Sequence, residues 1–162
     1  MAQITAAMVK QLREMTDSPM MECKKALVEA DGDMDAAVDV LRKNGLAKAA
    51  KKAGRETNEG AVAAFVSEDG KTGALLELSC ETDFVAMNDK FKAYGEKIAN
   101  AALASMAADV EALKAVEHEG ETVEAIITDA VHVLGENTQL ARVTTVEAPA
   151  VVTPVSYTHL TL

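Results

Sequence analysis

The chain has 162 residues, with 26 acidic and 16 basic side chains, two cysteines, eight methionines and no tryptophan. That length suits one domain of ordinary size, or a small module with a modest core, and a content of 49% apolar and 26% charged residues excludes general disorder and fibrous repeats. No apolar run approaches the roughly 20 residues that span a bilayer, and Met1-Ala2-Gln3-Ile4-Thr5 lacks the basic and long apolar regions of a secretory signal, so a soluble, cytoplasmic protein is expected.

A formal charge of -10 argues against non-specific nucleic-acid binding, which needs a surplus of Lys and Arg. The total is unevenly spread. Residues 1–55 hold ten basic against eight acidic side chains, and the remainder six against 18. Two differently charged parts suggest two modules. Cys23 and Cys80 lie far apart and form neither a disulfide framework nor a metal-ligand spacing, so two reduced thiols are expected.

The first module reads as three short helices. Thr5 is a good N-cap, flanked by Ile4 and Val9 as a hydrophobic staple. The first helix then runs to about Met15, with Met8, Leu12 and Met15 on one face. Thr16-Asp17-Ser18-Pro19 breaks it: Ser18 can cap the second helix, and Pro19 suits its first position. Asp31-Gly32 ends that helix. Asp33 caps the third, which is expected to close at Asn44-Gly45, with Met34, Ala37, Val38 and Leu41 in a buried stripe. On the second helix Cys23, Ala26, Leu27 and Ala30 form the core stripe, with Met20 at its edge. Met21 and Val28 fall away from that stripe, beside Lys24 and Lys25. Met21 either covers another part of the same core or offers an adaptable apolar contact to a partner. Residues 46–55, ending in Lys51-Lys52-Ala53-Gly54-Arg55, read as a solvated helix end or linker.

Beyond Gly60 the apolar period changes. Residues 61–66 and 74–80 are strand-like and separated by turn formers, which predicts a β-hairpin. Phe91, Tyr94, Gly95, Ile98 and Ala102 mark one face of a long helix reaching about Ser105. A shorter helix over residues 110–116 follows. Thr122 caps another, containing Val123, Ile126, Ile127, Ala130 and Leu134, and Gly135 ends it. Residues 140–146 read as a strand. The fold class is α+β: a three-helix module, then an α+β core with a β-hairpin and packed helices. The expected boundaries are 1–54 for the module, 55–148 for the core, and 149–162 for a truncated or non-native tail.

Catalytic constellations are scarce. His118, His132 and His159 have no metal-binding spacing, and there is no nucleophile elbow, P-loop or dinucleotide fingerprint. His132 reads as a structural histidine, and Cys80 as a small buried thiol. The oddity is Glu81-Thr82-Asp83-Phe84-Val85, between a strand and a helix. Either Phe84 folds back as a plug with Asp83 as a cap, or the loop presents an aromatic anchor and an acid to another protein.

Three segments carry a resemblance. Residues 16–27, with Met20-Met21-Glu22-Cys23-Lys24-Lys25-Ala26-Leu27, resemble the first signature of the bacterial elongation factor Ts family. Leu41-Arg42-Lys43-Asn44-Gly45 followed by Lys51-Lys52-Ala53-Gly54-Arg55 is similar to its passage into the core. Glu77-Leu78-Ser79-Cys80-Glu81-Thr82-Asp83-Phe84-Val85-Ala86 resembles its second signature. The resemblance reaches about Val146. It departs at Asp17 and Ser18, where the family usually has Gly-Ala, and at Ala141, where an Arg is customary.

The resemblance implies a guanine-nucleotide exchange factor, not an enzyme and without a cofactor, for GDP-bound elongation factor Tu, the GTPase that delivers aminoacyl-tRNA. It implies that residues 1 to about 54 form a ubiquitin-associated-like module in which Arg13, Met20 and Met21 match contact positions. It further implies that Thr82, Asp83, Phe84 and Val85 match the segment that wedges into the GTPase and disturbs its Mg²⁺ site. The alternative is an interaction module whose three-helix unit binds a ubiquitin-like or helical partner. RNA binding through residues 48–55 is the third reading, opposed by the acidic remainder. Direct nucleic-acid and membrane contacts are not expected.

Overall fold

The computed structural model describes residues 4–151 and the backbone of Thr158–Thr161. Three helices come first: α1 (Ala6–Thr16), α2 (Met20–Glu29) and α3 (Met34–Lys52). Thr5 caps α1 by accepting from the Met8 N–H, and Asp33 caps α3 by accepting from the Ala36 N–H. Leu12, Cys23, Leu27 and Ala37 are fully buried where the three helices meet, and Ile4 packs against this cluster with buried Val9. Each large side chain sequestered there is worth roughly 1.5–3 kcal/mol, which makes so small a core sufficient only with good packing.

Three local expectations are corrected. Ser18 does not cap α2: Pro19 holds the cap position without a side-chain bond, and Ser18 is turned inward. Asn44-Gly45 does not end the third helix, which continues to Lys52. Residues 46–52 are therefore the solvent-facing end of this helix, the first of the two readings given for 46–55, and not a linker. The reason is tertiary. Gly45 is buried, and a Cβ built on it would lie 3.5 Å from the His132 Cβ. A residue that signals a stop in an isolated helix here permits close packing of one helix on another. Met15, expected on the buried face of α1, is 58% exposed at the edge of a cleft.

The second unit contains β1 (Glu59–Val66), β2 (Thr72–Cys80), α4 (Asp83–Ala86), α5 (Asp89–Ser105), α6 (Val110–Lys114), the short strands β3 (Glu117–His118) and β4 (Glu121–Thr122), α7 (Val123–Leu134), β5 (Thr138–Glu147) and β6 (Thr158–Thr161). The main sheet has the order β5-β2-β1-β6, with all pairs antiparallel. The expected hairpin is β1–β2, in register from Glu59 opposite Cys80 to Val66 opposite Gly73. Gly60 is required in it, because a Cβ there would come within 2.4 Å of the Leu78 carbonyl oxygen. Of the final segment expected to be a tail, residues 152–157 and 162 lie outside the described residues; Thr158–Thr161 pairs with β1.

Alternation on β2 puts Ala74, Leu76, Leu78 and Cys80 on the face covered by helices, where Phe91, Ile98, Ala102, Leu113, Val123 and Ile126 complete the core. Asn88 caps α5 by accepting from the Lys90 N–H, and Thr122 caps α7 through the Ala125 N–H. Gly135 closes α7 at φ +80°, the left-handed conformation that favours glycine. The fold is thus mixed helix and strand, with two hydrophobic clusters joined where α3 packs on α7.

Candidate functional site

The Glu81 to Val85 segment is more ordered than an exposed connection. It is one turn of helix, α4, followed directly by α5. The Ala86 N–H donates to the Thr82 carbonyl at 3.2 Å, the Met87 N–H to Asp83 O at 3.0 Å, and the Asn88 N–H to Val85 O at 3.0 Å. Thr82 occupies the cap position, yet its side chain makes no capping bond. It faces the turn after α7 instead: the Thr82 N–H donates to Glu136 Oε2 at 3.0 Å and its hydroxyl to Glu136 Oε1 at 2.6 Å. Bonds to an ionised acceptor are shorter and stronger than neutral ones.

Glu81 is anchored beside it. Its Oε1 accepts from the Asn137 backbone N–H at 2.6 Å and from Arg55 Nη1 at 3.3 Å. The Asn137 side chain donates to the Arg55 carbonyl at 2.8 Å, and Lys52 Nζ donates to the Gly135 carbonyl at 2.5 Å. Cys80 is buried, and its thiol donates to the Thr82 carbonyl at 3.2 Å. Burial, reinforced by the Glu136 charge, pushes that thiol up to about 12. An acidic neighbour and loss of water both oppose thiolate formation, so Cys80 is an inert structural thiol.

On this tethered base Phe84 is 80% exposed. The plug reading is overturned: the ring does not fold under α5, where the buried aromatic is Phe91. Nor does Asp83 cap a helix, since Asn88 does that for α5 and Thr82 holds the position before α4. Asp83 is exposed, Val85 half-buried against the main core, and Met87 exposed beside Phe84 in sequence. An exposed Phe and Met on a turn closed by three backbone hydrogen bonds form an apolar projection, the kind of feature that marks a protein contact.

Arg13, Met20 and Met21 are exposed on the three-helix unit. Met21 does not cover this chain's own core, and exposed Val28 lies on the same helix. The two sets of candidate residues approach each other at one ion pair, Lys90 Nζ to Asp17 Oδ1 at 2.9 Å. Asp17 lies in the turn between α1 and α2, and Lys90 in the first turn of α5, just after the Phe84 turn. Both partners are at least half exposed, so the pair marks proximity more than stability.

The two units also meet through His132 of α7. Its Nε2 lies 3.0 Å from the Ser18 hydroxyl and 3.6 Å from Glu22 Oε2, while Nδ1 is buried without a hydrogen-bond partner. Burial lowers the affinity of this imidazole for a proton, against the opposing pull of Glu22. The structural reading of His132 agrees with these contacts. Glu22 also pairs with Lys48 of α3. A cleft of about 560 Å³ runs along this junction, with His132, Met15 and Leu46 among its walls. It contains none of Thr82, Asp83, Phe84 or Val85, so the projecting turn lies outside it.

Among the described residues no group of three or more His, Cys, Asp and Glu is placed to hold a metal ion, and no helix is long and apolar enough to cross a membrane. The residue missed in sequence is Glu136. Its signal was faint, a polar Gly135-Glu136-Asn137 turn between a helix and a strand, with nothing local to identify its partner 54 positions away.

Fold and site together define a protein built around presented surfaces: a three-helix unit seated on an α+β unit, each carrying exposed apolar side chains. The family model described as Elongation factor TS matches residues 81–161, past the point near Val146 that the resemblance was expected to reach. The chain is 53% identical over 156 residues to the elongation factor Ts of Idiomarina loihiensis, covering 96% of this chain and 52% of that protein. It is 54% identical over 147 residues to the elongation factor Ts of Yersinia pestis strain Pestoides F and to that of Yersinia pseudotuberculosis serotype O:1b, covering 91% of this chain and 50% of each. The chain belongs to the elongation factor Ts family. It spans about half the length of the curated relatives it matches.

Proposed function

We propose that the chain acts in translation elongation as a guanine-nucleotide exchange factor for GDP-bound elongation factor Tu, in the cytoplasm, with the Thr82-Asp83-Phe84-Val85 turn as its wedge. The observation that carries this reading is Phe84, 80% exposed on a turn closed by backbone hydrogen bonds from Ala86, Met87 and Asn88. Family membership supports it. GDP is held on a GTPase of this kind largely by P-loop backbone groups and by Mg²⁺ bridging phosphate oxygens to protein ligands. Phe84 entering an apolar cleft between helices gains roughly 1.5–3 kcal/mol, enough to favour a helix displacement that spoils the metal geometry. Asp83 adds an exposed carboxylate next to the ring. Pre-ordering of the turn means that little of the gain is lost to fixing it on binding.

In the same reading the three-helix unit is a ubiquitin-associated-like docking module, with Arg13, Met20 and Met21 against the G domain. The protein makes and breaks no bond. Exchange is a coupling between two ligands of one GTPase, and coupling is reciprocal: as the factor weakens GDP, nucleotide weakens the factor.

The test is release of labelled GDP from elongation factor Tu, with and without the protein and with Phe84→Ala. Acceleration by the parent chain and its loss in Phe84→Ala is the expected result. Binding without acceleration would favour the alternative of an interaction module, and equal acceleration by both forms would remove the wedge.

A further inference from the structure

The turn that presents Phe84 is not held by its own sequence. At the start of a short helix the first N–H groups have no intrahelical partner, and a capping side chain normally supplies one. Thr82 supplies none to α4. The four-residue turn is too short to be stable alone, because helix nucleation is unfavourable until several bonds form. What fixes it comes from the other end of the core. Glu136 accepts both the N–H and the hydroxyl of Thr82, at 3.0 and 2.6 Å, and the adjoining Asn137 N–H holds Glu81 at 2.6 Å. The same short turn receives the end of α3, through Lys52 on Gly135 and through the Asn137 side chain on the Arg55 carbonyl. Four residues from two distant parts of the chain, Lys52 with Arg55 and Glu81 with Thr82, therefore converge on Gly135-Glu136-Asn137.

We propose that Glu136 is a positioning residue, which fixes the Phe84 turn through Thr82 and, with Asn137, sets that turn in register with the end of α3 and hence with the three-helix unit. This rests on the exchange reading only for its consequence; the positioning itself is a property of the free chain. A carboxylate is suited to the task because it offers two acceptors in one plane to two donors of a single residue. Removing it leaves the Thr82 N–H and hydroxyl without partners, and of the described side-chain bonds to that residue only the weak one from the Cys80 thiol to its carbonyl remains.

The experiment compares the parent chain with Glu136→Ala by site-resolved amide hydrogen exchange and by GDP release from elongation factor Tu. The expected result is about tenfold faster exchange at Thr82, Ala86 and Met87, with the amides of Ile98 to Ala102 in α5 unchanged. In GDP release, the concentration giving half-maximal acceleration rises about tenfold while the maximal rate is retained, because a loosened turn must be ordered on binding but still carries Phe84. Should Glu136→Ala fail to fold, Glu136→Gln keeps the side-chain volume and one acceptor and carries the same comparison with a smaller shift. Unchanged exchange at Thr82, Ala86 and Met87 overturns the proposal, as does acceleration spread equally over α5, which would mark general destabilisation. A loosened turn with an unmoved half-maximal concentration overturns it too. If the parent itself does not accelerate GDP release, the exchange reading falls while amide exchange still decides the role of Glu136.

Discussion

Gly45 of α3 packs against His132 of α7, so close that a Cβ on the glycine would sit 3.5 Å from both the Cβ and the Cγ of the histidine. That separation is ordinary van der Waals contact. A methyl group fits, and anything larger does not. Gly45→Ala is therefore expected to stabilise the protein by roughly 0.5–1 kcal/mol, through helix propensity. Gly45→Leu is expected to destabilise it by about 1–3 kcal/mol, by forcing α3 off α7. Chemical denaturation midpoints of the two variants check both signs.

The same glycine shows where sequence reading stops. The cap residues Thr5, Asp33 and Thr122, the β1–β2 hairpin and the apolar stripes of α2, α5 and α7 were legible because local chemistry and periodicity determine them. Asn44-Gly45 has the local chemistry of a helix end, and only the approach of a helix some 90 positions later converts it into a packing site. Ser18 failed for a related reason: its hydroxyl, plausible as a cap, is used by His132. At the candidate site the aromatic and acidic residues were legible from their misplacement in a connection. Whether Phe84 points in or out was not, since that depends on Phe91 having already filled the core beneath α5. Glu136 was invisible because two-point binding of a backbone and a side chain leaves no pattern in sequence.

Phe84 and Phe91 should behave oppositely on truncation. Phe91 is 1% exposed in the main core, and Phe91→Ala is expected to cost about 3–5 kcal/mol of stability. Phe84→Ala removes a ring that is mostly in water and should leave stability within about 0.5 kcal/mol of the parent. Thermal unfolding of the two variants, each beside the parent, distinguishes a residue kept for packing from one kept for contact.

His132 makes stability depend on pH. Burial holds its proton affinity below the ordinary value, outweighing Glu22 across the junction and Asp129 on its own helix, while Lys48 and Lys52 of α3 act in the same direction as burial. Ser18 contributes a neutral hydroxyl. The unfolded chain therefore takes up the proton first as pH falls. The stability associated with neutral His132 is fully present above about pH 6.5 and is lost progressively as pH falls from there through the lower folded value. Melting temperatures measured between pH 7.5 and 5 should fall more steeply for the parent than for His132→Gln, which cannot take up this proton. Parallel curves would show that the junction does not titrate.

Helix α3 has one more consequence, which follows from its unbroken run of 19 residues across the place where composition suggests a joint. At about 1.5 Å per residue it is a strut of about 28 Å. A partner gripping both α2 and the Phe84 turn meets a chelating ligand, one whose second arm is already aimed when the first has landed. Loss of one grip leaves the other in place, and the freed arm returns at a local concentration on the order of millimolar. Residence on such a partner is then governed by the rare moment when both arms are open together, so two contacts that are each weak make a long-lived complex, which comes apart quickly once either arm is denied its return.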